Sequence, residues 1–203
     1  WGEAEEALDA ARTAQARHYA EVGSLSTAAL ALLRVRQGKL GDARELLAGR
    51  EENPASLHAL AELRLAEGEP VVAAGLLERA YTNAHGDVLL SSRLLVPLVD
   101  AYLGSGELGE ATRCAALLSD SATLSDRALV AGRASLAQAR VALVREDVRA
   151  AHEFARAALD TFSRLGMPHE AAEARLEIAR AIAGSQRALA IEEAKAAHAT
   201  FRE

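Results

Sequence analysis

Apolar residues recur along this chain at spacings of three and four, not two. Leu57, Leu60, Ala61, Leu63 and Leu65 form one such run, and Ala171, Ala174, Leu176, Ile178 and Ala181 form another. That spacing places them on one face of a helix. No alternating run bounded by hairpin dipeptides interrupts the pattern, so strands are not expected. The breaks read as helix ends. Asn53-Pro54 has the form of a capping residue followed by a first-turn proline, and Asp87 is placed to cap the helix after Gly86. Leu165-Gly166-Met167-Pro168 reads as a glycine stop, a short turn and a new start. Pro97 falls inside a predicted helix, which it should kink or destabilise by about 3 kcal/mol. The predicted fold class is all-α.

A turn signature repeats. Gly38-Lys39-Leu40-Gly41-Asp42-Ala43 has counterparts in Gly106-Glu107-Leu108-Gly109-Glu110-Ala111 and Gly68-Glu69-Pro70-Val71-Val72-Ala73. A weaker copy is Arg145-Glu146-Asp147-Val148-Arg149-Ala150, and degenerate copies end at Ala4 and Ala188. The anchors are Ala4, Ala43, Ala73, Ala111, Ala150 and Ala188, evenly spaced but for one shorter interval between Ala43 and Ala73. Each follows a turn and opens a second helix, where a methyl group lets two antiparallel helices approach closely. A lone hairpin cannot bury its apolar faces, so the hairpins should stack. The expected architecture is a right-handed superhelical array of about 11 helices, a single repeat domain over residues 1–203. The start at Trp1 and the uncapped helical run at Phe201-Arg202-Glu203 fit a piece of a longer multidomain protein.

Composition narrows the function. The 203 residues carry a formal net charge of −6, which argues against direct nucleic-acid binding, since attraction to phosphates supplies most non-specific affinity. No apolar stretch approaches the roughly 18 residues of a membrane span, and no secretory leader opens the sequence. The expected compartment is the cytoplasm. The single thiol, Cys114, excludes a disulfide framework and reads as a small core residue. Arginine is the basic residue nearly throughout, with lysine only at Lys39 and Lys195.

The repeated frame resembles the tetratricopeptide repeat. Four places past the anchor it has Leu8, Leu47, Leu77 and Phe154, whereas Ala115 and Glu192 depart; Tyr102 stands nine places before an anchor. Seven past the anchor the small residue is present at Ala11, Ala80 and Ala157 but replaced by Arg50, Leu118 and Lys195. A narrower resemblance covers roughly the last fifty residues. The stretch from Ala158 to Arg175, with Phe162, Leu165-Gly166, Pro168 and Glu170-Ala171-Ala172, is similar to the helical-repeat region of actinobacterial ATP-dependent LuxR-type (MalT-like) transcriptional regulators. Ala196 to Glu203 looks like its continuation. The resemblance implies a sensor or protein-docking segment between a nucleotide-binding domain and a DNA-binding domain, neither of which lies in these residues.

Catalytic and metal chemistry find little support. Gly104-Ser105-Gly106-Glu107-Leu108-Gly109 matches the dinucleotide fingerprint by letter, but it follows a helix where that motif needs a strand. His169 and Glu173 share a helical face at i, i+4, yet a zincin helix needs a second histidine there. His18, His58, His85, His152 and His198 lack ligand spacing. The chain is therefore expected to be no enzyme and to hold no cofactor and no metal.

What remains is a groove. In tetratricopeptide-like arrays the first helices line the concave side, at about 7, 8, 11, 15 and 18 residues before each anchor. That projection nominates Arg36, His58, Glu62, Arg93 and Asp100, and in the last hairpin Glu170, Glu173, Glu177 and Arg180. Between them it places Gly132, Ser135, Ala139 and Ala142, small enough to leave a hollow. The expected partner is a protein or peptide, with a metabolite or oligosaccharide effector, or a plain scaffold role, as alternatives.

Overall fold

The computed structural model describes residues 2–15, 20–84 and 86–202, with the side chains of 12, 14, 15 and 20–23 left aside. Among the described residues every regular element is helical. The α-helices are α1 (Gly2–Gln15), α2 (Ala20–Arg36), α3 (Leu40–Leu47), α4 (Leu57–Ala66), α5 (Pro70–Asn83), α6 (Val88–Gly104), α7 (Leu108–Ser125), α8 (Ala128–Val144), α9 (Val148–Arg164), α10 (Pro168–Ile182) and α11 (Arg187–Arg202). They form two compact units, Trp1–His85 and Gly86–Glu203.

In the first unit α1 packs on α2, α2 on α3, and α4 on α5, while the first helices of the two hairpins, α2 and α4, meet directly. Its core joins Ala28, Ala31 and Leu32 to Ala43, Leu47, Ala59, Leu60 and Leu63. The signals at the start of α4 act as the sequence suggests. Asn53 Oδ1 accepts the Ala55 N–H at 3.0 Å, and Pro54 opens a 3-10 turn, Pro54–Ser56, that leads into the helix. The Ser56 hydroxyl is fully buried and has no hydrogen-bond partner among the described residues.

The second unit stacks three hairpins, α6–α7, α8–α9 and α10–α11. Its first helices also touch one another, α6 against α8 and α8 against α10. They begin at Val88, Ala128 and Pro168, two equal steps along the chain. A core cluster runs from Leu136 and Ala139 through Ala155, Ala158, Leu159 and Phe162 to Ala174, Ile178, Ile182 and Ala190. Asp87 caps α6 by accepting the N–H groups of Leu89 and Leu90 at 2.9 and 3.0 Å. α6 continues unbroken past the buried Pro97 to Gly104. Cys114 is a buried core residue.

One turn recurs five times among the described residues. The last carbonyls of the preceding helix are taken by a residue in the left-handed region and the residue after it, the geometry of a Schellman stop. Gly38 N–H donates to Val35 and Lys39 N–H to Arg34, both at 2.9 Å. The same pair of bonds is made by Gly68 and Glu69, Gly106 and Glu107, Glu146 and Asp147, and Gly166 and Met167. The left-handed residues have φ of 72°, 79°, 83°, 60° and 66° in chain order. Five places on, an alanine N–H closes the first turn of the new helix: Ala43, Ala73, Ala111, Ala151 and Ala171. The apparent dinucleotide fingerprint at 104–109 is this turn between α6 and α7.

These bonds correct the repeat register. Glu146, not a glycine, occupies the left-handed position of the fourth copy, so its anchor is Ala151, fully buried, and not Ala150. The slip carries through α9. Phe154 is 39 % exposed while Ala155 and Ala158 are fully buried in the places expected of Phe154 and Ala157. In the last hairpin Ala188 is exposed and Ala190 buried, and at the other end Ala4 is exposed. The second-unit anchors are thus Ala111, Ala151 and Ala190. Gly166–Ala171 is a further copy that lies between hairpins instead of within one.

The small residues of α8 leave no hollow. Gly132, Ala139 and Ala142 are buried, with Ser135 half-buried. A Cβ built on Gly132 would lie 2.9 Å from Phe162 Cε1 and 3.1 Å from Thr161 Cγ2. The phenyl ring of α9 fills that space.

Candidate functional site

The first helices of the second unit bring together an ion set that no single stretch of sequence contains. Arg140, on α8, stands at its centre with only 13 % of its side chain exposed. Its Nη1 donates to Asp100 Oδ2 on α6 at 2.7 Å. Its Nη2 and Nε donate across the other side to α10, to Glu173 Oε2 at 3.0 Å and Glu177 Oε1 at 3.1 Å. Arg180 Nη1 donates to both oxygens of Glu177, at 3.0 and 2.9 Å, and His169 Nε2 lies 3.3 Å from Glu173 Oε1. The His169 ring packs edge-on against Phe201 of α11, with centroids 5.1 Å apart.

Helical geometry makes this possible. Glu173, Glu177 and Arg180 are spaced i, i+4, i+7 on α10 and so share a face. Asp100 and Arg140 occupy the same place in successive repeats, each at the same remove from its own anchor, Ala111 or Ala151. Burial alone would pull the Arg140 pKa down; the charges of Asp100, Glu173 and Glu177 outweigh it and hold the guanidinium above its ordinary value. It is a permanent cation at any pH the protein meets. The carboxylates differ in access: Glu177 is 3 % exposed, Glu173 27 % and Asp100 36 %.

The sequence nominates Asp100, Glu173, Glu177 and Arg180, and the structure gathers these four. It misses Arg140, and with it Arg133. Arg133 reaches from α8 to the Leu89 carbonyl at 3.1 Å and the buried Ser92 Oγ at 2.7 Å, both on α6. Both arginines fall on projected groove positions once the projection starts from Ala151 instead of Ala150. Arg93 and Glu170 lie on α6 and α10, exposed and half-buried respectively. The remaining nominees belong to the first unit. Arg36 is exposed at the end of α2, and His58 Nε2 sits 3.4 Å from Glu62 Oε1 on α4. His152 is half-buried on α9, His198 exposed on α11, and His18 and His85 lie outside the described residues.

Beside the ion set, α10 and α11 form an open groove of about 490 Å³. Leu176, Ala179, Ala190 and Ile191 make its apolar wall, and Arg180 borders both groove and ion set. Among the described residues no three His, Cys, Asp or Glu side chains are grouped as a metal site, and no helix is long and apolar enough to cross a membrane.

Comparison with protein-family models and with curated proteins finds no match for this chain. Within each of the two units the described residues form an all-α array of consecutive packed helices.

Proposed function

We propose that this chain is a non-catalytic helical-repeat module that recognises a protein or peptide on its first-helix face. By its resemblance to the LuxR-type regulators, it would relay that event to flanking ATPase and DNA-binding domains. The observation that carries the reading is the ion set of α6, α8 and α10. Three successive first helices contribute charged side chains to one face, and Asp100, Glu173 and Arg180 keep part of their surface in solvent. A charged, partly open face built from several repeats is how stacked hairpins recognise a chain laid across them. A bound partner would favour one packing of neighbouring hairpins over another, and that bias is the signal.

The groove between α10 and α11 favours a second reading, a small-molecule effector, because about 490 Å³ lies within the range of ligand pockets.

A thermal-shift screen separates the two readings. Metabolites and oligosaccharides form one arm, and peptide libraries of defined charge the other. On the first reading a peptide raises the melting temperature of the wild type, and the shift disappears in Asp100→Asn and Glu173→Gln. A metabolite shift abolished by Ile191→Glu and kept in Asp100→Asn establishes the effector reading instead. The regulator context is tested by the reading frame on either side of these residues. A nucleotide-binding ATPase domain before them and a helix-turn-helix after them are expected; a different catalytic domain in either place would overturn it.

A further inference from the structure

We infer that Arg140 is the coupling element of the second unit: one guanidinium ties the α6–α8 and α8–α10 contacts together, so that a change at either is felt at the other. Three observations converge. The guanidinium spends Nη1 on α6 and Nη2 and Nε on α10, so its donors are divided between two neighbouring helices. Its three acceptors come from two different hairpins, so neither contact holds the cation alone. The surrounding packing is apolar. α9 meets α8 and α10 through Ala155, Ala158, Leu159 and Phe162, apolar contacts that resist separation but set no charge order.

The arms are unequal. Glu177 is buried and held a second time by Arg180, which makes it the fixed arm. Asp100 and Glu173 are reachable from solvent, which makes them the releasable arms. Arginine does not lose its charge, so the element is released only from the carboxylate side. The charged groups involved are Asp100 from α6, Arg140 from α8, and His169, Glu173, Glu177 and Arg180 from α10. When an arm is released, the guanidinium redistributes toward the carboxylates that remain, and the distant contact tightens or shifts in consequence. This coupling holds whether or not the face binds a partner, so its failure and the failure of the recognition reading are separate results.

The test is hydrogen exchange on the whole chain in a set of charge-removing variants. In the wild type, Asp100→Asn removes a charged hydrogen bond to α6 and Glu173→Gln one to α10, so amides of the helix that loses the bond exchange faster, by about tenfold. In Arg140→Gln both substitutions find the bond to the guanidinium already gone, while Arg180 still holds Glu177. The expected result is therefore non-additive: Asp100→Asn speeds exchange by about tenfold with Arg140 present and by far less with Arg140 replaced. Asp100→Asn alone should also alter exchange in α10, the helix on the far side of Arg140. Packing alone would give effects that add. Additive effects, or an unchanged α10 in Asp100→Asn, would overturn the inference. If Arg140→Gln does not fold, Arg140→Lys serves in its place. Its single ammonium cannot span both helices, so the α10 response to Asp100→Asn should vanish; a response of wild-type size would overturn the inference.

Discussion

Ser56 and Gly132 are small residues under opposite constraints. Ser56 buries a hydroxyl that no group among the described residues satisfies, and a buried polar atom in that state costs about 1–3 kcal/mol. Ser56→Ala removes the oxygen and keeps the Asn53 cap, so the first unit should melt at a higher temperature in calorimetry. Gly132 has no such slack. Its missing methyl is occupied by the Phe162 ring at 2.9 Å. Gly132→Ala gains about 1 kcal/mol of helix propensity and meets overpacking worth about 1–3 kcal/mol. Denaturant titration should show a net loss, and the double variant Gly132→Ala/Phe162→Leu should recover most of it. The sequence marks Gly132 as small but not as filled, because the filling ring arrives from the next helix.

At the level of the helix and its turn, the Schellman stop explains what could be read and what could not. Where glycine holds the left-handed position, at Gly38, Gly68, Gly106 and Gly166, the turn is visible as letters. So are the caps at Asn53 and Asp87, since each depends on residues two or three places away. The fourth turn hides because Glu146 stands there with φ of 60°. An L side chain in that region costs roughly 1–2 kcal/mol. Glu146→Gly should thus stabilise the second unit by up to about 1 kcal/mol, after the added freedom of the unfolded glycine is offset; urea unfolding measures it. That one disguised residue displaces the apparent register of α8 and α9 by a single place. The displacement is why Arg140 and Arg133 escape the projection while their equivalents on α6, Asp100 and Arg93, do not. Periodicity fixes faces, and a one-place error in the anchor trades the half-buried Arg140 for Ala139.

Over the whole molecule, charge is spent on joining helices. Glu67 receives Arg44 of α3 and Arg64 of α4, and the hydrogen bond from Arg44 leads, against burial, in holding its carboxyl below the usual value of 4.5. A lowered carboxyl stabilises the fold above its unfolded pKa, and that contribution is lost as the pH falls through the folded value. Wild-type melting temperature should therefore drop below about pH 4.5 more steeply than that of Glu67→Gln, which already lacks this contribution at neutral pH. Melting curves from neutral to strongly acidic pH decide it; parallel profiles would show that Glu67 carries none of the acid sensitivity.

The division of Arg140 between the hairpins before and after its own also has a consequence in time. A ribosome delivers the chain from its N-terminus, and Asp100 exists when Arg140 emerges, whereas Glu173 and Glu177 do not. A nascent chain ending at Arg164 can assemble α6 to α9 with their alanine seams, yet its central cation lacks both of its α10 partners. The first two hairpins of this unit are thus held in an unfinished electrical state until α10 has been made, and the third hairpin completes its predecessors as much as it extends them.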